Sequence, residues 1–432
     1  MFCNQCEQTM EGGCDKKIGV CGKNEDIASL QDIIIYALKG VSAYAHHARQ
    51  LGYTDVEVDA ITQEALYSTL TNVNFSLEDT VGMALKVGSA TNKVMDMLDK
   101  AHTGRFGIPV PVKVSEDKVE GKGILVTGHN LFALEELLKQ TEGKGVNVYT
   151  HSEMLPAHGY PQLKKYSHLK GNVGKAWYDQ RRVFDDFPGA ILVTTNCVMP
   201  VRGLYGEKMF SYDITGVEDV RKIEGNDFSP LIEKALSLPA ADIKSDKTFT
   251  TGFHHENVLK LAPEIIAAVK AGKIKRFFVI AGCDAPGDGG EYFREIAELV
   301  PKDGVILTTS CGKFRFNDID FGDIDGIPRL IDLGQCNNSI SAVKIASALA
   351  EAFNCSVNEL PLSIFLSWFE QKAVAILLGL LSLGVKDIYL GPKPPEFVSP
   401  GVLSVLQKNF NLKLTGDAKK DFRQAVTVKT AA

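Results

Sequence analysis

The sequence of 432 residues lacks the features of several large protein classes. It has no basic N-terminal segment followed by an apolar run, so we expect no secretory signal. Its longest nearly continuous apolar run, residues 373–385, is too short to span a bilayer. Basic residues are too few for a non-specific nucleic-acid binder, because the net charge is −6. We therefore expect a cytoplasmic globular protein that binds neither membrane nor nucleic acid.

Cysteine, in contrast, is plentiful, with nine residues. Cytosolic thiols stay reduced, so clustered cysteines there favour metal or redox chemistry over disulfides. Four of them occur within the first 23 residues: Cys3, Cys6, Cys14 and Cys21. Four closely spaced cysteines bind either an iron–sulfur cluster or zinc, and the spacing alone leaves both open. A second redox-type site in the same chain favours iron–sulfur.

The hydrophobic pattern predicts an N-terminal α-helical domain followed by two Rossmann-like α/β domains with parallel sheets. Apolar residues recur at helical spacing through residues 25–105, and strands then alternate with helices. Residues 103–122, which combine glycine, proline and charge, are predicted to be a linker, and a second break is predicted near residues 238–247. The predicted domains are residues 1–112, with the cysteine motif and a short helical bundle, and the α/β domains 113–240 and 241–432.

Five metal-binding side chains directly follow predicted parallel strands: His129, Cys197, Cys283, Cys311 and Cys336. A single cysteine at such a position is usually a small buried hydrophobe. Open α/β sheets, however, bind ligands at the edge formed by the carboxyl ends of their strands. If the two sheets face each other, the five side chains can meet at one shared metal cluster.

Two carboxylates belong with this group. Glu153 follows the predicted strand that ends at Thr150, and Glu370 lies within residues 362–378, an almost entirely apolar segment predicted as a buried helix. A buried charge needs a partner or a metal. An ion pair with Lys372 is the alternative for Glu370, although residues two apart do not face each other on a helix. Thiolates, an imidazole and carboxylates together suit a mixed iron cluster bridged by sulfide and oxygen, whereas zinc would not need seven ligands.

Several motifs occur in one order along the chain and resemble those of the hybrid cluster proteins, also called hydroxylamine reductases. They are Met-Phe-Cys-Asn-Gln-Cys-Glu-Gln-Thr at 1–9, Thr-Gly-His-Asn at 127–130, Thr-Thr-Asn-Cys-Val-Met-Pro at 194–200, Thr-Thr-Ser-Cys-Gly-Lys at 308–313, Gly-Gln-Cys-Asn at 334–337 and Trp-Phe-Glu-Gln-Lys at 368–372. The resemblance covers most of the chain. Residues 25–105 hold only about one helical bundle, so the chain resembles the short form of the family, and a homodimer contact could cover the face left open.

The resemblance implies a hybrid [4Fe–2S–2O] cluster held by seven residues: His129, Glu153, Cys197, Cys283, Cys311, Cys336 and Glu370. In the family, the cysteine at the position of Cys283 can carry an extra sulfur as a persulfide. The N-terminal cysteines would hold a second cluster. Their gaps of seven and six residues each differ by one from the pattern of the long forms, but the span from Cys3 to Cys21 is the same. This favours [4Fe–4S] over [2Fe–2S].

The activity implied is the two-electron reduction of hydroxylamine to ammonia and water. Electrons would come from an external donor, such as a reductase or a ferredoxin, through the N-terminal cluster. Glu153, Glu370 and Lys372 are the catalytic candidates, and His151 is a further candidate proton donor.

Three alternatives stay open. One is reduction of nitric oxide to nitrous oxide, and another is protein S-nitrosylation under nitrosative stress in an anaerobic cell. The third is a nickel-dependent carbon monoxide dehydrogenase, which the two carboxylates and the single N-terminal cysteine set disfavour.

Overall fold

A computed structural model describes residues 3–9, 12–15 and 17–427, so Met1 and Phe2 of the N-terminal motif lie outside the described residues. The N-terminal region is helical, as predicted: α1 (Glu25–Gln50), α2 (Val56–Ser68) and α3 (Leu77–Phe106). Each helix begins where a side-chain oxygen accepts backbone N–H bonds, at Asn24, Asp55 and Ser76 respectively. The buried faces of α1 and α3 pack on a helix near the C-terminus, so the helical region shares a core with the last part of the chain.

A first parallel sheet follows the helices. Its region contains β1 (Val112–Ser115), β2 (Lys118–Thr127), α4 (Leu131–Thr141), β3 (Val146–His151), α5 (Pro161–Lys164), β4 (Leu169–Asn172), α6 (Gln180–Asp186), β5 (Ala190–Val193), β6 (Met209–Ser211), β7 (Arg221–Lys222), α7 (Ser229–Ser237), β8 (Ala241–Ile243) and β9 (Thr248–Thr251). The parallel strands lie in the order β4-β3-β2-β5-β6-β7, while β8 pairs antiparallel with β2 and β9 antiparallel with β1.

A second parallel sheet occupies the rest of the chain. Its elements are α8 (His255–Lys260), α9 (Ala262–Lys270), β10 (Arg276–Gly282), α10 (Asp288–Glu298), β11 (Gly304–Thr308), β12 (Asp323–Ile324), β13 (Ile327–Pro328), β14 (Leu330–Asp332), α11 (Ser339–Ala352), β15 (Leu362–Ser367), α12 (Gln371–Ser382), β16 (Ile388–Gly391), α13 (Pro400–Phe410), β17 (Lys413–Leu414) and α14 (Ala418–Thr427). Six strands form the sheet in the order β14-β11-β10-β15-β16-β17, and β12 and β13 form a separate hairpin.

Both sheets have the same doubly wound topology. Numbered along the chain within each sheet, the strands lie in the order 3-2-1-4-5-6. In such a sheet the strand order reverses between the first and fourth strands, and ligands bind outside the carboxyl ends of those two strands. The reversal points lie between β2 and β5 in the first sheet and between β10 and β15 in the second. The predicted fold class, an N-terminal helical region followed by two parallel-sheet α/β regions, is confirmed.

Two predictions about local structure are wrong. Residues 103–122 are not a linker, because α3 continues to Phe106 and the charged segment forms β1 and the outer half of β2. The predicted break near residues 238–247 likewise contains β8. Several side chains of β1, of the first half of β2 and of β8 are exposed or only partly buried, so charged residues are tolerated there and composition alone suggested a loop.

The predicted helix over residues 362–378 is also wrong in its first half. Residues Leu362–Ser367 form β15, and α12 begins only after Glu370, which is its N-cap. A strand buried on both faces reads as a continuous apolar run, and periodicity does not separate it from a buried helix. Glu370 is therefore another residue at the carboxyl end of a strand. The three domain ranges stay predictions.

Among the helices in the described ranges, none is both long and apolar enough to cross a membrane.

Candidate metal centre

All seven predicted ligands lie just beyond the carboxyl ends of parallel strands. His129, Glu153 and Cys197 follow β2, β3 and β5 in the first sheet, and Cys283, Cys311, Cys336 and Glu370 follow β10, β11, β14 and β15 in the second. Four of the seven, two in each sheet, therefore sit at the reversal points of the strand order. The two sheets present these edges to each other, as the contacts below show.

The backbone leaves the strands through conformations that few residues adopt. Cys197 itself has a φ of 67°, and the residues before Glu153 and Cys311, Ser152 and Ser310, have φ values of 53° and 68°. Non-glycine residues at positive φ are uncommon and cluster at functional sites. Gly282, before Cys283, has a φ of 110°, and a Cβ there would lie 2.0 Å from the Ser367 carbonyl oxygen. Four of the seven loops therefore leave their strands through tight turns.

Glu153 links the two sheets. Its Oε2 accepts the Cys336 backbone N–H at 2.8 Å and lies 3.5 Å from His129 Nε2. The ligand atoms of His129, Glu153 and Cys336 all lie within 4.8 Å of one another. Burial raises the pKa of Glu153, but the hydrogen bond with His129, the nearby Lys313 ammonium and the hydrogen bond from the Cys336 N–H outweigh it and lower the pKa to about 2. The carboxylate is therefore charged, although its Oε1 is buried with no hydrogen-bond partner.

The His129 ring is fixed from its other side. Its Nδ1 lies 2.7 Å from the Thr195 hydroxyl, which leaves Nε2 facing Glu153. Burial lowers the pKa of His129, so the neutral imidazole is favoured. A neutral ring oriented by a hydrogen bond at its second nitrogen is the form in which histidine binds metals.

The thiols of the second sheet contact hydroxyl groups from other parts of the fold. Cys336 Sγ accepts the Tyr44 hydroxyl of α1 at 3.1 Å, and Cys311 Sγ lies 3.1 Å from the Ser152 hydroxyl. Burial raises the pKa of Cys283 to about 12 and raises the pKa values of the Cys311 and Cys336 thiols as well. Without a bound cation the thiols are neutral, and a metal would deprotonate them.

Glu370 is part of a polar triad at the site. Its Oε2 accepts Asn196 Nδ2 at 2.9 Å and lies 3.6 Å from Lys372 Nζ, while Lys372 donates to Asn196 Oδ1 at 2.5 Å. The ion pair with Lys372, which the sequence argument disfavoured, is therefore present. It forms because Glu370 precedes the helix, so the rule for side chains two apart on a helix does not apply.

Two cavities reach this region. A cavity of about 30 Å³ is lined by Cys283, Cys336 and Glu370. A larger one of about 570 Å³ is lined by Glu370, Lys372 and Asn196 at its inner side and by His46, His47 and Asp213. Glu370 lines both cavities.

The donor set fits an iron–sulfur–oxygen cluster. Cys336 lies with His129 and Glu153 and shares a cavity with Cys283 and Glu370, and Glu153 Oε1 is a buried, charged acceptor without a partner. Thiolates select iron–sulfur chemistry and carboxylates suit harder metal, so the mixture favours a cluster containing both sulfide and oxygen.

The N-terminal cysteines form a separate segment. Cys14 N–H donates to the Cys3 carbonyl at 2.7 Å, and Cys21 Sγ lies 3.8 Å from the Thr71 carbonyl oxygen beyond α2. All four thiols are free and partly accessible. Their role as ligands stays a prediction.

Comparison with known proteins identifies the family. The model of the Prismane/CO dehydrogenase family matches residues 1–81 and 76–423. The chain belongs to this family. It is similar to the hydroxylamine reductase of Moorella thermoacetica, with 59% identity over 98% of this chain and 99% of that protein. It is also similar to that of Thermotoga maritima, with 52% identity over 99% of this chain and 100% of that protein.

The predicted short form agrees with these lengths. The chain spans 78% of the hydroxylamine reductase of Geobacter sulfurreducens, to which it is 49% identical over 99% of its own length. Among solved structures, a carbon monoxide dehydrogenase from Thermococcus sp. AM4 has a TM-score of 0.77 with 17% identity, covering 98% of this chain and 90% of that one. At this identity the likeness shows the fold alone.

Sequence reasoning missed the residues that hold the ligands in place. Tyr44, Ser152, Thr195, Asn196 and Gln335 all contact predicted ligands or their loops. Asn196 and Gln335 lie in the motifs quoted above, directly before Cys197 and Cys336, which was the only signal for them. Cys355, which does not follow a strand, is partly buried and packs against the hydrophobic core beside the second sheet.

Proposed function

We propose that the chain reduces hydroxylamine to ammonia and water, with two electrons and two protons consumed per molecule. The observation that supports this is that seven donors of mixed type follow the carboxyl ends of parallel strands in the two sheets, in a family whose relatives at 50–59% identity include several named hydroxylamine reductase. His129, Glu153, Cys197, Cys283, Cys311, Cys336 and Glu370 would hold a hybrid [4Fe–2S–2O] cluster. Cys283 would be the thiol that carries a persulfide.

When bound, the cluster supplies Lewis-acid activation and electrons for cleavage of the N–O bond. The residues of the chain supply position and protons. Lys372 is buried, and its ammonium lies beside Glu370 and Asn196 at the inner side of the large cavity. It can donate a hydrogen bond and then a proton to the oxygen that leaves as water. Glu370, less buried than Glu153, is the carboxylate better placed to shift when substrate enters.

His151 is a poorer candidate for the proton donor. It is buried on β3, with Nδ1 2.9 Å from the Thr127 hydroxyl and its ring against Phe184. Burial lowers its pKa to about 3, so at neutral pH the ring is a neutral imidazole, which is a poor acid.

The large cavity suits hydroxylamine as the substrate. Its volume of about 570 Å³ is ample for a molecule of two heavy atoms, and its lining includes the His46–Asp213 pair and Lys372. A small, strongly hydrated molecule would exchange its hydrogen bonds with water for those with these side chains, so entry costs little.

The N-terminal cysteines would hold a [4Fe–4S] cluster that relays electrons from a reductase or ferredoxin. Helix α1 begins next to this motif and carries Tyr36 and Tyr44, which contact the Phe369 carbonyl and Cys336 at the centre. At 1.5 Å per residue, Tyr36 lies about 17 Å along the helix from Glu25. Helix α1 would therefore join the two clusters as one rigid element. We also propose that the protein is cytoplasmic.

A second copy of the chain could cover the face that longer relatives fill. Large apolar side chains are exposed on α2 and on the loop that follows it: Val56, Leu66, Tyr67, Leu70, Val73 and Phe75. Such a contiguous set is unusual on a monomer. The mass in solution, measured by light scattering under anaerobic conditions, tests whether the chain is a homodimer.

Nitric oxide reduction to nitrous oxide is a second candidate, and one observation favours it. An apolar cavity of about 200 Å³ lies between the second sheet, α11 and α12. It shares the lining residues Ala281, Ser339, Leu366 and Ile376 with the small cavity at Cys283 and Cys336. Apolar cavities of this size stay dry and admit small apolar molecules.

Metal content and activity measurements on anaerobically purified protein distinguish between these candidate functions. We expect about eight irons per chain and no nickel, from two four-iron sites, together with hydroxylamine-dependent ammonia formation. Nickel at one per chain would instead indicate a carbon monoxide dehydrogenase. Fast nitric oxide consumption with slow hydroxylamine turnover would favour the second candidate, and nitroso transfer to partner thiols without gas formation would indicate an S-nitrosylating role.

A further inference from the structure

Gln335 makes an unusual set of contacts across the two sheets. It directly precedes Cys336 and is 1% exposed. Its side-chain Nε2 donates to the Glu153 carbonyl at 2.9 Å and to the His129 carbonyl at 3.2 Å. Those carbonyls belong to the loops after β3 and β2, in the opposite sheet. One amide group therefore joins three ligand-bearing loops.

The amide is itself held in a rigid setting. The Gln335 backbone N–H donates to Asn338 Oδ1 at 3.0 Å, and the Gly334 carbonyl before it accepts the Ser310 N–H at 3.1 Å and the Lys313 ammonium at 2.8 Å. The loop of Cys336 is thereby fastened to the loop of Cys311. Because the backbone of Gln335 is held in this way, its side-chain bonds fix the loops of the first sheet relative to the Cys336 loop of the second.

Loss of the two hydrogen bonds from the Gln335 amide would also lower the stability of the folded protein. Both N–H groups of the amide are used, and the segments that carry the two carbonyls are buried. A buried carbonyl left without a donor costs about 1–3 kcal/mol. The bond from Cys336 N–H to Glu153 Oε2 runs alongside, and it would remain as the one direct link from the Cys336 loop to Glu153.

We propose that Gln335 is a positioning residue that sets the spacing of His129 and Glu153 from Cys336, and so the integrity of the metal centre. This rests on the proposed function in one respect, namely that these residues hold a cluster. Gln335 touches no substrate in this proposal and acts only through the loops that it joins.

The experiment compares the rate at which a chelator removes iron from anaerobic holoprotein. Gln335→Met keeps the shape of the side chain and removes both donated bonds, and Gln335→Glu places a carboxylate against the two carbonyls. Loss of a group that orients metal ligands typically costs about 10–100-fold in metal affinity. We therefore expect Q335M to lose iron about 10–100 times faster than the wild type and Q335E at least as fast, with a broadened paramagnetic spectrum of the centre.

Asn92 provides a matched control. Its Nδ2 donates to the Gly379 carbonyl at 2.9 Å and to the Ser382 hydroxyl at 3.3 Å, joining α3 to α12, and its Oδ1, like Gln335 Oε1, is buried without a partner. Asn92→Leu should lower the temperature of unfolding but leave the iron-loss rate and the spectrum unchanged. Iron loss from Q335M at the wild-type rate, or equal acceleration in N92L, would overturn the proposal.

Two further variants complete the test. If Q335M and Q335E do not accumulate as folded protein, the iron-loss rate of Gln335→Asn tests the proposal instead. The shorter asparagine amide cannot reach both the His129 and the Glu153 carbonyl. An intermediate iron-loss rate supports the proposal and a wild-type rate overturns it. Cys336→Ser tests the underlying assignment, because unchanged iron content and spectrum there would refute the ligand set itself rather than the role of Gln335.

Discussion

Lys313 and Asp332 form a fully buried ion pair that ties two ligand loops together. Lys313 Nζ donates to Asp332 Oδ1 at 2.6 Å and to the Gly334 carbonyl at 2.8 Å, and the two side chains are 0% and 2% exposed. Lys313 lies two residues after Cys311, and Gly334 lies two before Cys336. Replacing Lys313 by Met removes the cation and leaves the carboxylate buried without its counter-charge.

The expected loss follows from that arrangement. Breaking a buried ion pair by removing one partner costs about 3–5 kcal/mol. A chain of this length has an unfolding entropy of about 0.9 kcal/mol/K, so 4 kcal/mol lowers the unfolding temperature by about 4 °C if the whole chain unfolds together. If the second α/β unit unfolds alone, the fall is about 10 °C, because its unfolding entropy is less than half as large.

Scanning calorimetry of anaerobic holoprotein measures the effect, with Lys275→Met as the control. Lys275 pairs with Asp303 at 2.8 Å but is 69% exposed, so its loss should produce no measurable shift. Adding Asp332→Leu to Lys313→Met should recover part of the loss, since the uncompensated charge is then gone. A K313M protein that unfolds within a degree of the wild type, or a double variant as unstable as the single one, would refute the reasoning.

Three further predictions concern the centre and the pH dependence of stability. Tyr44→Phe removes one hydrogen bond to Cys336 Sγ, which favours the more negative reduced state of the cluster. The midpoint potential, measured in a redox titration, should therefore fall by up to about 40 mV, the equivalent of about 1 kcal/mol. An unchanged potential would show that this hydrogen bond does not act on the cluster. Glu370→Gln removes the charge beside Lys372 and should lower hydroxylamine turnover at least about tenfold and alter the cluster spectrum, whereas full activity with a normal spectrum would exclude Glu370 as a ligand. Burial lowers the pKa of His102 to about 4, so the folded protein holds this ring in its neutral form. Its contribution to the free energy of unfolding, up to about 3 kcal/mol, is present above pH 6.5 and is lost as the pH falls from 6.5 towards 4. His102→Gln should therefore flatten the fall of the unfolding temperature over that window, and an unchanged slope would show that His102 is not responsible.

The placement of the reactive residues could be predicted from the sequence because it depends on a local pattern. A short apolar strand followed at once by His129, Cys197, Cys283, Cys311 or Cys336 is visible without any tertiary contact. The doubly wound topology then brings strand ends to one edge of each sheet. The strand signals did not reveal the order of the strands, which depends on crossover connections rather than on any one segment.

Glu370 shows where the same reasoning failed. The prediction selected it because a charge stood within an apolar run, and that run was interpreted as one helix. In the structure the run is a strand, a three-residue turn and a helix, and Glu370 is the helix cap. The residue was selected for a partly wrong reason. Its position at a strand end, shared with the other ligands, is the stronger argument.

The supporting residues could not have been predicted, since their contacts join distant parts of the chain. Tyr44 and Cys336 are separated by 292 positions, and Gln335 and His129 by 206. Tyrosine and glutamine also carry no metal-binding signature, so the only local signal for Gln335 was its place in a motif beside Cys336, and Tyr44 had none.

The two facing sheets explain why the centre needs such supports. Each sheet alone presents three or four of the proposed ligands at its edge, so the proposed set is complete only while the two edges keep a fixed separation. Apolar packing between the units resists their separation but tolerates small sliding movements. Directional bonds at the edge, from Gln335 to the His129 and Glu153 loops and from Cys336 N–H to Glu153, oppose sliding where it would most disturb the ligands. The polar contacts nearest the centre therefore define its geometry, while the hydrophobic cores of the two sheets supply most of the stability.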